Sequence, residues 1–107
     1  MSEQSKTPVL DLITRMIADS LETTTLDANT TMLVRLAALV AVDAPRASYL
    51  MSLGAARELG IGEEEVGGVL TAIAPIVGTT RVVSASFNIL DALDLAGDAA
   101  AMEAAGG

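Results

Sequence analysis

Ala55-Ala56-Arg57-Glu58-Leu59-Gly60-Ile61-Gly62-Glu63-Glu64-Glu65-Val66 holds the end of one helix and the start of the next. Gly60 is a natural C-terminal stop, because glycine takes up a left-handed conformation without a Cβ penalty. Ile61 then tucks back onto the helix end. Three glutamates follow, and acids suit a first turn, where they face the positive end of the helix dipole. Their plain role is a solvated helix start. Three adjacent helical carboxylates point apart, so they make a poor metal cage, and no metal site is expected.

Working outward, Val66, Val69, Leu70, Ile73, Ile76 and Val77 continue that fourth helix, and Gly67 and Gly68 permit close helix approach. Pro75 should bend or stop it. Gly78 makes a turn, and Thr79 or Thr80 caps a fifth helix to about Leu95, with Val82, Val83, Phe87, Leu90 and Leu93 on its apolar side. Upstream, Asp43 can cap a third helix with Pro45 in its first turn. Asp27 is a good cap for a second helix, from about Ala28 to Val42. That helix is apolar all round after Arg35, which predicts burial on every side. Pro8 opens a first helix to about Glu22. Val9, Leu10, Leu12, Ile13, Met16, Ile17 and Leu21 share one broad face, with Asp11, Arg15, Asp19 and Glu22 opposite. Strand signals are almost absent. The reading is all-α, a compact subunit of about five helices. Residues 1–7 form a disordered lead, 8–96 one domain and 97–107 a flexible tail rich in Ala and Gly.

The 107 residues are 51% hydrophobic and only 2% aromatic. Ala, Val, Leu, Ile and Met supply that content, more than one small core needs, and a subunit interface is the ordinary explanation. Fourteen acids against six bases give a net charge of -8, which repels a phosphate backbone and argues against nucleic-acid binding. Val66–Thr80, the longest uncharged run, is too short to span a bilayer and is broken by glycine and proline. The polar start lacks the apolar stretch of a signal peptide. Absence of cysteine is compatible with cytosol. A soluble, cytoplasmic protein is expected.

There is also no histidine and no tryptophan. The usual charge switch near neutral pH, the thiolate nucleophile and the soft metal ligands are therefore missing. No cofactor is expected. Carboxylates, hydroxyls, guanidinium groups, Tyr49 and the backbone remain to do chemistry.

The order of elements resembles a known family. Leu26-Asp27 opens a helix continuing into Val34-Arg35-Leu36-Ala37. A capped helix then ends in Ala55 to Ile61, followed by Gly62-Glu63-Glu64-Glu65-Val66 and an apolar helix. Next come Gly78, Arg81 and Ser84 to Leu90. This is similar to the carboxymuconolactone decarboxylase family, which includes the alkyl hydroperoxidase D-like proteins. The resemblance implies that family's helical fold and a homo-oligomer, commonly a trimer or hexamer. Its peroxidase branch carries a Cys-x-x-Cys pair and a histidine four residues later. Counting back from Gly60-Ile61, those positions are Pro45, Ser48 and Ser52, and a relay glutamate would fall near Leu33. All four are replaced, so thiol peroxidase activity is not expected. The decarboxylase branch often keeps the histidine where Ser52 stands, which weakens that reaction too.

If the family pocket persists, Ser48, Ser52 and Tyr49 line it and can bind a small polar ligand. The alternative is serines bonded to the carbonyls of the preceding turn. Arg81 can hold a carboxylate bidentately, or meet an acid at the surface. Asp43, Tyr49 and Ser52 are the weak catalytic candidates, with Asp43 a general acid or base if buried. Asn88 can reach the pocket or pair across an interface. Met16, Met32 and Met51 read as core filler. Three functions stay open. One is a non-redox binding or structural homologue that holds a small apolar or carboxylate molecule. The second is a decarboxylase or lactone-type enzyme using Ser, Tyr, Arg and Asp in place of His. The third is a module that binds a protein partner.

Overall fold

The computed structural model describes the backbone of residues 6–106 and the side chains of residues 6–93. Most of the expected lead, and the side chains of the expected tail, lie outside the described residues. Five helices follow one another: α1 Pro8–Thr23, α2 Ala28–Ala41, α3 Arg46–Glu58, α4 Glu63–Val77 and α5 Thr79–Gly106. There is no strand among the described residues. The all-α reading holds.

Local chemistry explains most of the boundaries. Asp27 caps α2, with the Thr30 amide donating to Oδ1 at 2.8 Å and the Thr30 hydroxyl to Oδ2 at 3.0 Å. The backbone bond, then the side-chain bond, holds this carboxyl below its ordinary value of 3.8. A lowered folded-state pKa gives stability that is full above the unfolded value and lost as pH falls through the folded one. The advantage of the native chain over Asp27→Ala is therefore expected to shrink in strong acid. Paired thermal melts at neutral and acid pH check this, and an equal advantage at both would contradict it.

Leu59, Gly60 and Ile61 end α3 in a Schellman motif. The Ile61 amide donates to the Ala56 carbonyl and the Gly60 amide to the Arg57 carbonyl, both at 3.0 Å, with Gly60 at φ 81°. Ile61 is buried, as its tucked position requires. The Glu65 carboxylate then reaches back to accept from the Gly62 amide and caps α4. Pro75 does not end α4, which runs on to Val77.

Gly78 ends α4 at φ 89°, ψ 161°, a region that side-chain-bearing residues avoid. A Cβ there would meet nothing within 4 Å, so the penalty of Gly78→Ala is purely conformational. We expect a loss of about 1–3 kcal/mol in urea unfolding. A neutral result would mean that the turn relaxes freely.

Two boundaries differ from the sequence reading. Pro45, not Asp43, holds the cap position of α3, and it makes no side-chain cap bond. Asp43 instead sits in the left-handed region at φ 55°, which reverses the chain after α2. Aspartate tolerates this conformation better than most residues. Likewise, α5 runs to Gly106, past the end read near Leu95. Alanine has the highest helix propensity, and the Ala-rich segment outweighs the cost of Gly97.

The core is a seam of i, i+4 and i, i+3 positions: Met32, Leu36 and Val40 of α2, Tyr49, Leu53 and Ala56 of α3, and Ala85, Ile89 and Ala92 of α5. The small alanines let α3 and α5 approach closely, and these two make the most extensive helix pair. α2 packs on both α3 and α4. Yet the stretch after Arg35 is not buried on every side, because Ala38, Ala41 and Val42 are exposed. Met32 is core, whereas Met16 and Met51 are exposed. Helix α1 has no buried residue at all. It is tied to α2 through Arg35, whose guanidinium donates to the Ile17 carbonyl at 3.4 Å and to the Ser20 hydroxyl. Periodicity reveals that a helix has an apolar face. It does not say whether the same chain covers that face.

Candidate functional site

The α2–α3 turn and the start of α5 bring several polar candidates together. The Ser84 hydroxyl donates to Asp43 Oδ1 at 2.9 Å. One turn earlier on α5, Arg81 Nη1 donates to the Ala41 carbonyl at 2.7 Å. Arg81 thus meets the last carbonyl of α2, where a cation is favoured by the helix dipole. It meets a carbonyl rather than a carboxylate. Tyr49 stands behind the turn with its residue only 1% exposed. Burial first, then the charge of Asp43, pushes its phenol above the ordinary 10.0. The phenol is therefore protonated at neutral pH. It can donate a hydrogen bond but is no general base.

Ser48 and Ser52 are half-buried, one turn apart on α3. Among the described residues neither hydroxyl bonds the preceding turn, in contrast to Ser86, which donates to the Val82 carbonyl at 2.8 Å. Asn88 is half-buried on α5. Ser84 was not singled out in the sequence. Its three-residue spacing from Arg81 on one helix was the available signal, since such residues share a face.

An apolar concavity lies elsewhere among the described residues. It is a groove of about 630 Å³ between α3, α4 and α5, open on one side. Its walls are mainly apolar, with Leu53, Val66, Leu70, Ile89 and Leu93 among them, and Arg57 and Glu63 supply its charge. None of Asp43, Ser48, Tyr49, Ser52, Arg81 or Asn88 lines it. The molecule therefore offers two different surfaces, a polar turn cluster and an apolar groove. Among the described residues, no group of three or more carboxylates is placed to hold a metal ion. No helix described here is long and apolar enough to cross a membrane.

Neither surface holds a thiol or an imidazole, since the chain has neither cysteine nor histidine. What the turn cluster can do is bind through charge and hydrogen bonds. Comparison with known proteins agrees with the architecture. No curated protein and no solved structure gives a comparable match. The family model described as Carboxymuconolactone decarboxylase family matches residues 7–92, a span from just before α1 to the buried Ala92 of α5. With most of its length matched by that model, the chain belongs to the carboxymuconolactone decarboxylase family.

Proposed function

We propose that this chain is a homo-oligomeric family member that works without thiol redox chemistry, as a binding or structural subunit. The observation that carries the reading is the set Pro45, Ser48 and Ser52 at the positions where the peroxidase branch has two cysteines and a histidine. Proline has no nucleophile, and a serine with no imidazole to activate it is a weak one. The wealth of uncovered apolar side chains supports self-association, with a trimer or hexamer as the expected size. The ligand class is a small apolar or carboxylate molecule, held near Ser48, Tyr49, Ser52, Arg81 and Asn88.

A decarboxylase-type reaction is the second reading. It draws on Tyr49, which keeps its proton and so can supply one to a carbanion. Thermal melts against small carboxylates, lactones and apolar acids test the binding role. A ligand at about a hundred times its dissociation constant stabilises by roughly 2.7 kcal/mol. That is a shift of several degrees in a domain of this size. The shift should vanish in Arg81→Ala, measured against that variant's own melt. Thiol-dependent reduction of an alkyl peroxide by the purified chain would overturn the non-redox reading. A monomer mass in light scattering at micromolar concentration would overturn self-association.

A further inference from the structure

We infer that α1 is a hinged arm, latched to the rest of its own chain by Arg35 and able to swing about residues 24–27 when that latch opens. The arm belongs to a single chain, whatever that chain's state of association.

Helix α1 is joined to the body by very little. None of its 16 residues is buried, and Ile17 alone is half-buried. The helix pairs that pack closely all lie among α2, α3, α4 and α5. The buried core is drawn from that part of the chain, and α1 adds nothing to it. Helices of this length are marginal in water unless tertiary contacts hold them. The arm therefore depends on the few contacts it does make, whereas its release leaves the core whole.

Those contacts converge on one side chain. Among the described residues, the hydrogen bonds that join α1 to another helix both come from Arg35 of α2. Its Nη2 donates to the Ile17 carbonyl at 3.4 Å and to the Ser20 hydroxyl. That hydroxyl donates in turn to the same Ile17 carbonyl at 3.3 Å, so guanidinium, hydroxyl and carbonyl close a triangle at one point of α1. Arg35 is half-buried beside the buried Leu36, which makes it a fixed post rather than a loose surface chain. Helix electrostatics adds to the bonds. α1 has no basic residue in its last turn, and Asp19 and Glu22 stand near that end. The negative end of a helix dipole favours a cation and disfavours acids. Arg35 supplies from α2 the cation that α1 lacks.

The joint is built to turn. Thr24 is extended at φ -65°, ψ 144° and closes α1 with its amide on the Ser20 carbonyl at 3.0 Å. The Leu26 amide donates to the Thr24 hydroxyl at 3.2 Å, and Asp27 caps α2. Each helix end is thus completed by local bonds. The two helices can rotate relative to one another without either losing its own terminus.

A pair of spin labels reads the position of the arm, at Thr14→Cys on α1 and Glu64→Cys on α4, both exposed sites in a chain without native cysteine. Labelled chains are diluted into excess unlabelled chain, so that distances within one copy are measured. With Arg35 in place one narrow distance distribution is expected, and Arg35→Gln should broaden it. Hydrogen exchange at the α1 amides should become about tenfold faster or more in Arg35→Gln, the scale of a lost hydrogen bond to a charged group, with α3 and α5 unchanged. Ser20→Ala, at an exposed site, should speed α1 exchange by less, because the Ile17 carbonyl remains. A broad distribution with Arg35 present would mean that there is no latch. Unchanged distances and exchange in Arg35→Gln would mean that α1 is held by other contacts. Faster exchange in α3 and α5 as well would make Arg35 a support of the core. Each of these three results overturns the inference.

Discussion

Tyr49→Ala is expected to lower the unfolding free energy by about 3–5 kcal/mol, the cost of deleting a buried aromatic ring. Domains of this size have only about 5–15 kcal/mol in total, so the variant sits close to unfolding at room temperature. Tyr49 is one of the two largest fully buried side chains among the described residues, with Val40. Its ring belongs to the cluster that joins α3 to α2 and α5, and no small rotation of a neighbour refills that volume. Urea unfolding reads the loss. A cost below about 1 kcal/mol, the level of an ordinary substitution, would mean that the seam collapses around the gap.

Tyr49→Phe separates the ring from its hydroxyl. The raised phenol pKa means the folded state holds this proton more tightly than the unfolded chain does. That contribution is full below the unfolded value of 10.0 and is lost as pH rises through the folded one. The native chain should therefore lose stability in alkali, and Tyr49→Phe should lose less. As this is the only tyrosine, its phenolate absorbance reports the titration directly.

Met16→Glu is expected to weaken self-association about a hundredfold or more, since an uncompensated charge in an interface costs about 3–5 kcal/mol. Met16 lies in the middle of the apolar face of α1 and is 60% exposed in the single chain. Inside one chain this substitution would be harmless, because the site is already wet. Where a second copy covers α1, as the self-association proposal holds, the charge removes that cover, so helicity falls along with mass. Light scattering across a concentration series and circular dichroism read the two effects. Glu22→Gln, on the opposite face, should change neither. Unchanged mass and helicity in Met16→Glu would show that α1 needs no partner.

How much of this was legible follows from the range of each signal. Asp27, Gly60–Ile61 and Gly78 could be read directly, because caps and left-handed turns are decided within a few residues. Asp43 could not. An acid before a proline-led helix looks like a cap, and the bond that assigns its real place comes from Ser84, 41 residues away. Met16, Met51 and Val42 were misplaced for another reason. A single sequence shows the apolar face but not the molecule that covers it. Arg57 could not be read as a groove residue, since the groove is assembled from three helices whose packing has no local signature.

The two bonds from α5 to the α2–α3 turn also have a consequence for how that turn is held. They join residues 40 and 41 apart in the chain. Loops of that length close at an entropic cost that nearby packing must first offset. Without α5 docked along α3, the turn at Asp43 is held only by the end of α2, whose Ala38, Val40 and Leu39 carbonyls accept from the Val42, Asp43 and Ala44 amides. Docking of α5 therefore completes the turn, as a fastening that joins the helices on either side.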